Sequence, residues 1–205
     1  MDVKWLEWAR RIQALSKSGL TFSKDAFDIE RYKELEQISA EIIASYSDLD
    51  VNETIALFSK EKGYQTPKVD VRGAVFQDQQ ILLVQEKSDG NWSLPGGFCD
   101  VGLSAAENIV KEIEEEAGYK TEARNLMALI DMNKHAHPPQ PFHYYKVFIQ
   151  CEVIEKVEAD RLETTQAQFF PKDRLPRLST NRNTEEQIAS LFAFYHSEDK
   201  RAIFD

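Results

Sequence analysis

Gly96-Gly97-Phe98-Cys99-Asp100-Val101-Gly102-Leu103-Ser104-Ala105-Ala106-Glu107-Asn108-Ile109-Val110-Lys111-Glu112-Ile113-Glu114-Glu115-Glu116-Ala117-Gly118-Tyr119 decides how this chain is read. The second half predicts one helix with defined ends. Ser104 is placed to N-cap it, and Glu107 three residues on completes a capping box. Gly118 supplies the C-terminal stop. At about 100° per residue, Ala106, Ile109, Val110, Ile113 and Ala117 share an apolar face. Glu112, Glu115 and Glu116 crowd an arc of roughly 100° beside it, whereas Glu107 and Glu114 point elsewhere.

That arc is electrostatically unfavourable. Each carboxylate in the last turns opposes the negative end of the helix dipole, at about 0.3–1 kcal/mol apiece, and neighbours at i, i+3 and i, i+4 repel one another. Two readings follow: a solvated acidic face, or a cation site. Oxygen-rich clusters favour hard divalent ions such as Mg²⁺. Ahead of the helix, Leu94-Pro95-Gly96-Gly97 closes a strand-like run with a sharp turn. Its two glycines let a backbone carbonyl approach a metal or a phosphate.

The stretch resembles the Nudix box, G-x5-E-x7-R-E-U-x-E-E-x-G-U, where U is bulky and apolar. Counting from Gly97, residues Glu112, Ile113, Glu115, Glu116, Gly118 and Tyr119 fall on register. Leu103 stands where the family has Glu, and Lys111 where it has Arg. The resemblance implies that Glu112, Glu115 and Glu116, with the carbonyl of Gly96 or Gly97, hold Mg²⁺, with Mn²⁺ as a possible substitute. It also implies that Lys111 orients the carboxylates, keeping the charge of the family's Arg without its planar fork.

The chain has 205 residues, enough for one or two domains, and 42% are hydrophobic, enough for a proper core. A formal net charge of −10 argues against nucleic acid as the main partner and against an anionic membrane. No apolar run is long enough to span a bilayer, and Met1 opens into charged, helical sequence with no signal peptide. Two cysteines, Cys99 and Cys151, give no disulfide framework and fit a reducing cytoplasm.

Residues 1–66 predict a small all-α domain. Trp5, Trp8, Ala9, Ile12 and Leu15 recur at helical spacing up to Ser18-Gly19; Tyr32, Leu35, Ile38, Ile42 and Tyr46 mark a second helix over about 29–47. A third starts at Asp50, capped with Glu53, carries Val51, Ile55 and Phe58, and stops near Gly63. Residues 67–205 read as the second domain. Val69–Phe76 and Ile81–Gln85 flank a turn at residues 77–80, and further strands cover about 122–132, 144–154 and 166–170. A last helix over about 183–196 turns Ile188, Leu191, Phe192 and Tyr195 inward. The resemblance covers Lys68 onward and implies an α/β fold: a Nudix-type α/β/α sandwich on a mixed sheet, preceded by the helical domain.

His135, His137 and His143 share a proline-stiffened segment, Asn133 to His143. No zinc spacing is evident there. It reads either as a surface loop or as a substrate loop whose histidines contact phosphates or act as a base. Arg72, Lys87 and Lys146 are candidate phosphate contacts; Arg72 leads, because it interrupts an apolar strand where an unpaired charge is costly. The helical domain, the His-x-His-Pro-Pro loop and Leu175–Ser179 resemble Nudix enzymes acting on nucleoside diphosphates linked to another moiety. That implies metal-assisted hydrolysis of CDP-choline first and ADP-ribose second, giving a nucleoside monophosphate and X-phosphate, with Glu115 or Glu116 taking the proton. The alternatives are sanitation of nucleoside triphosphates and a non-catalytic, nucleotide-sensing regulator. Against a DNA-gripping regulator, residues 1–66 carry 9 Lys+Arg and 12 Asp+Glu. The aromatic content of residues 1–66 predicts a homodimer in which this domain covers part of the neighbouring Nudix domain or its active-site mouth.

Overall fold

Alternation along the first two strands sorts their side chains to two faces. These strands, β1 (Lys68–Gln77) and β2 (Gln80–Glu86), join through Asp78 and Gln79. Both turn residues have positive φ, 49° and 61°, the pattern of a type I′ turn whose twist matches that of the strands it connects. The computed structural model describes residues 4–47, 50–59 and 63–205. Within them β3 (Trp92–Ser93), β4 (Tyr119–Asp131), β5 (Tyr144–Lys156), β6 (Thr164–Pro171) and β7 (Ile203–Phe204) complete a mixed sheet. Its order is β3-β2-β1-β5-β4-β7, with β6 paired to β2. The β1–β5 and β4–β7 pairs are parallel and the others antiparallel.

One face of this sheet buries Val71, Val75, Leu82 and Val84 against Ile109, Ile113 and Ala117 of a helix over Ala105–Ala117. The other buries Ala74, Ile81, Leu83 and Phe148 against Ile188, Leu191, Phe192 and Phe194 of the helix Glu185–His196. The result is an α/β/α sandwich. Each fully buried Ile or Leu contributes about 1.5–3 kcal/mol. Both helices begin with capping boxes, Ser104 with Glu107 and Thr184 with Gln187. On the first of them Ala106 is exposed, contrary to its expected place on the apolar face; Ala105, one position earlier, packs on the core instead.

By contacts the chain divides into Met1–Pro67 with Pro139–His143, and Lys68–Pro138 with Tyr144–Asp205. The first unit contains α1 (Lys4–Phe22), α2 (Ala26–Ser45) and α3 (Val51–Ser59); the Nudix-like helices above are then α4 and α5. Asp50 and Glu53 bond reciprocally ahead of α3, at 2.8 and 3.1 Å. The helix ends at Ser59, and residues 60–62, before the expected stop at Gly63, lie outside the described residues. α1 does not stop at Gly19. A Cβ there would sit 2.3 Å from the Tyr32 ring, so this glycine serves helix-to-helix contact and not termination.

The apolar stripes expected on α1 and α2 coincide only in part with the buried faces. α1 buries Leu6, Ala9, Gln13, Ser16 and Lys17, and α2 buries Ser39, Ala40 and Ile43. Polar contacts hold the pair: Ser39 Oγ donates to Ala9 O at 2.8 Å, and Lys17 Nζ lies 2.5 Å from Glu36 Oε1. Trp8 (56% exposed), Leu15, Phe22 (69%), Leu35, Ile38 and Tyr46 face outward. Trp5 is half-buried and stacks on Tyr46, ring centroids 4.9 Å apart.

Candidate active site

β1 and β2 pair at Phe76–Ile81 and Gln77–Gln80. Along β1, the segment after β3 takes over the pairing. Gly73 N donates to Pro95 O at 2.9 Å, Val71 N to Gly97 O at 2.9 Å, and Cys99 N to Val69 O at 3.1 Å. The turn at the head of the box is therefore stitched to the sheet by backbone hydrogen bonds. It also requires glycine: Gly96 has φ +137°, and a Cβ there would fall 2.1 Å from Val71 O. Gly97 O is engaged by Val71, while Gly96 O accepts no hydrogen bond among the described residues. Of the two carbonyls expected at a metal, Gly96 is the free one.

α4 faces this turn. Gly96 N donates to Glu116 Oε2 at 2.8 Å, and a Cβ on Gly97 would lie 3.4 Å from Glu112 Oε1. Glu112, Glu115 and Glu116 border a cavity of about 570 Å³ that also includes Gly96, Gly97 and Phe98. Seven carboxylates and three cations line it: Glu86, Asp100, Glu112, Glu115, Glu116, Asp160 and Glu163 against Arg72, Lys111 and Arg182. Burial pushes the Glu116 carboxyl up to about 8, with Glu112 and Glu86 adding to the rise and the Gly96 N–H and Arg72 opposing it. Glu112 is raised as well, by burial and then by Glu115. Two C-terminal carbonyls of α4 are satisfied from the β5–β6 connection and the start of β6, by Arg161 N on Glu115 O at 2.9 Å and Thr164 Oγ1 on Glu116 O at 2.9 Å.

Among the described residues no three His, Cys, Asp or Glu side chains converge on a single point. The donor set nevertheless fits a divalent cation: hard oxygens, one unpaired carbonyl, an excess of negative charge, and two carboxyl groups raised by burial and then by their acidic neighbours. Lys111 Nζ donates to Asp100 Oδ2 at 2.8 Å and lies 3.9 Å from Glu115 Oε2. It tethers one member of the acidic group to the preceding loop.

The sheet side of the cavity is built from residues far apart in sequence. Arg72 Nε donates to Asp70 Oδ1 at 2.9 Å and Nη1 to Leu94 O at 3.1 Å. Arg72 lines the cavity, as expected. Lys146 does not: it is 1% exposed and paired with Asp70, directly opposite on β5. Burial lowers its pKa to about 8. Lys87 is absent from the lining too. Its Nζ donates to Arg161 O at 2.8 Å and Leu162 O at 3.0 Å, so it shapes the loop that carries Asp160 and Glu163. Glu86, Arg182, Asp160 and Glu163 were not singled out from sequence; no local spacing marks them.

None of the three expected histidines is among the lining residues. His135 Nε2 pairs with Asp205 Oδ1 at 3.0 Å. His137 Nδ1 lies 2.7 Å from Thr180 O, which can only accept, so its Nε2 accepts from Gln187 Nε2 at 2.8 Å. Burial drives the pKa of His137 down to about 4. Both rings anchor the C-terminal segment. His143 falls in Pro139–His143, which groups with the helical unit.

Two family models match the chain. A family model described as the UDP-X-like, N-terminal oligomerisation domain matches residues 3–58, and one described as the NUDIX domain matches residues 66–192. The Bacillus subtilis (strain 168) protein named "Putative ADP-ribose pyrophosphatase YjhB" is 56% identical over 205 residues, 100% of this chain and 99% of that one. A crystal structure of UDP-X diphosphatase aligns over 98% of each chain with TM-score 0.63 and 37% identity. That of an ADP-ribose pyrophosphatase from Streptococcus suis 89-1591 covers 68% of this chain and 100% of its own, with TM-score 0.63 and 44% identity. Because the second family match runs unbroken through the Gly96 turn and α4, on whose register the cavity depends, this chain belongs to the Nudix family.

Proposed function

We propose that the cavity hydrolyses the diphosphate of a nucleoside diphosphate linked to a second moiety, releasing a nucleoside monophosphate and X-phosphate. The chain is a Nudix pyrophosphohydrolase; the substrate is the part proposed. The observation that carries this reading is the acidic cavity itself, with three box carboxylates and an unpaired Gly96 carbonyl beside Arg72. Mg²⁺, or Mn²⁺ in its place, held by Glu112, Glu115, Glu116 and Gly96 O would polarise a phosphoryl oxygen and acidify water. Arg72, fixed by Asp70 and Leu94 O, presents its remaining donors to phosphate oxygens. Glu115 or Glu116 accepts the proton of the attacking water; Glu116 does so through Oε1, since Oε2 receives the Gly96 N–H.

ADP-ribose ranks ahead of CDP-choline. A relative matching the whole chain carries the name of an ADP-ribose pyrophosphatase. Choline also favours a cage of several aromatic faces, and the cavity lining offers Phe98 alone. The structural neighbour named UDP-X diphosphatase makes UDP-sugars the second class to try. Steady-state assays with Mg²⁺ on ADP-ribose, UDP-glucose, CDP-choline and a nucleoside triphosphate separate these readings. Release of pyrophosphate from the triphosphate at a higher kcat/KM than any conjugate would overturn the proposal.

The helical unit is proposed to assemble the chain into a homodimer. Supporting this are the match to an oligomerisation domain and the outward-facing Trp8, Leu15, Phe22 and Tyr46. Light scattering is expected to give twice the chain mass; a monomer at micromolar concentration would refute it.

A further inference from the structure

Arg182 sits where the sequence offers no motif, yet it is among the most firmly placed side chains of the cavity. Its segment is pinned to β3 by Ser179 N on Trp92 O at 2.8 Å, and to the box turn by Leu94 N on Asn183 Oδ1 at 2.8 Å. Its guanidinium is fixed on three sides. Nε lies 2.8 Å from Glu86 Oε1, Nη1 donates to Ser179 Oγ at 3.1 Å, and Nη2 donates to Ser88 Oγ at 3.3 Å. The partners are themselves held: Ser93 Oγ donates to Glu86 Oε1 at 2.5 Å, and Ser179 Oγ to Asp89 Oδ2 at 2.7 Å.

A guanidinium has five N–H donors: Nη1 and Nη2 each commit one to these hydrogen bonds, and Nε faces Glu86 in an ion pair. The two that remain belong to a side chain 27% exposed that lines the cavity, against 6% for Arg72. If Arg182 served only to neutralise Glu86, which is 3% exposed, nothing would require it to reach open space. Lys111, the third cation of the lining, lies between Asp100 and Glu115. We propose that Arg182 is a substrate-contacting residue, whose two outward donors engage diphosphate oxygens of the nucleotide conjugate. This rests on the reading that the cavity takes a nucleoside diphosphate. Glu86, Ser179 and Ser88 are positioning residues, presetting the fork so that little side-chain freedom is lost when the anion arrives.

The test is calorimetric binding of α,β-methylene-ADP, a nucleoside diphosphate that cannot be hydrolysed, in Mg²⁺. Arg182→Met is expected to weaken binding by about tenfold or more, as for loss of a charge-assisted bidentate contact. Arg182→Lys should fall between that variant and the wild type. Because Arg182→Met leaves Glu86 buried without its cation, the pair Glu86→Gln/Arg182→Met is measured alongside. Binding that stays weak in the double variant supports direct contact; recovery to the wild-type value overturns it and leaves Arg182 as a counter-ion only. Unchanged binding in a folded Arg182→Met also overturns it. A wild type whose binding depends on Arg182 but which hydrolyses no conjugate would overturn the proposed substrate class and leave Arg182's role standing.

Discussion

The two sides of the cavity are assembled in opposite ways. On the α4 side, three carboxylates come from five consecutive positions and stand largely unbonded to one another; Glu116 leans on one backbone N–H. On the sheet side, Asp70 and Arg72 come from β1, Glu86 from the end of β2 and Arg182 from the loop before α5, and each is held by a specific partner. Asp89 and Ser179, which brace Arg182, are 90 positions apart. The α4 side is a cluster of like charges in tension, and the sheet side is a satisfied network. Removing a charge should therefore do opposite things: on α4 it should cost activity and spare the fold, and on the sheet it should cost the fold.

The largest effect is expected on α4. Glu115→Gln and Glu116→Gln should each lower kcat by about 10²-fold or more, the scale of losing an acid–base or metal-ordering group. In the metal-free protein both should melt no lower than the wild type: Glu115→Gln removes a repelled charge from the negative helix end, and Glu116→Gln replaces a carboxyl whose charged form burial already disfavours. The acid–base sign is fixed by Glu116. Its folded pKa, about 8, lies above its ordinary value of 4.5, so the folded state binds the proton more tightly. That stabilisation is complete below about 4.5 and is lost as pH rises through about 8. Metal-free melting temperature should thus fall across that window, Mg²⁺ should raise it most at the alkaline end, and Glu116→Gln should flatten the slope. Near-normal turnover in both variants would remove the metal assignment.

On the sheet side the order reverses. Asp70 accepts from Arg72 and pairs with Lys146, all three nearly inaccessible. Asp70→Asn leaves two buried cations without a carboxylate and should cost about 3–5 kcal/mol in urea unfolding. Lys146→Met keeps the Asp70–Arg72 pair and fills the space with an unbranched apolar chain, so it should cost clearly less. Equal losses from the two would mean that Lys146 matters to the network as much as Asp70.

This contrast explains what was legible in the sequence. The α4 helix, its capping box and its Gly118 stop are local, decided within three or four residues, and so are the β1–β2 hairpin and α5. Glu86 and Arg182 meet through tertiary folding, so no spacing announces them. Lys146 looked like a phosphate contact because a lone cation in a strand looks the same whether it faces a ligand or a buried aspartate. In α1 and α2 periodicity found real stripes, of which only Ala9, Trp5 and Ile42 turn toward the core. Small and polar residues such as Ala9, Ser16, Ser39 and Ala40 make the close helix contact, and the large apolar side chains face outward.

A smaller effect is expected at His137. Burial lowers its pKa to about 4 from the usual 6.5, so the folded state prefers the neutral ring bonded to Thr180 O and Gln187. That preference stabilises the fold above about 6.5 and is lost as pH falls through about 4. His137→Asn should remove part of the acid-side loss of melting temperature while leaving kcat within about twofold, because the ring does not line the cavity. A large fall in kcat would return this histidine to the active site.

The smallest effect is expected at Lys111, the position where the box departs from its family's arginine. Its side chain is 42% exposed, bonded to Asp100 Oδ2 at 2.8 Å and 3.9 Å from Glu115 Oε2. Exposed pairs of this kind contribute little to stability, so neither Lys111→Arg nor Lys111→Met should move the melting temperature measurably. Turnover should separate them. Arginine can hold Asp100 and Glu115 at once through its fork, so Lys111→Arg should match or slightly exceed the wild type in kcat at saturating Mg²⁺. Methionine releases Glu115 from the loop, and its kcat should fall by severalfold while KM changes little, since what is lost is the ordering of a metal-binding carboxylate. Equal kcat for Lys111→Met and wild type would show that Glu115 needs no cationic tether, and would leave Lys111 as an ordinary surface charge on the otherwise repulsive side of the cavity.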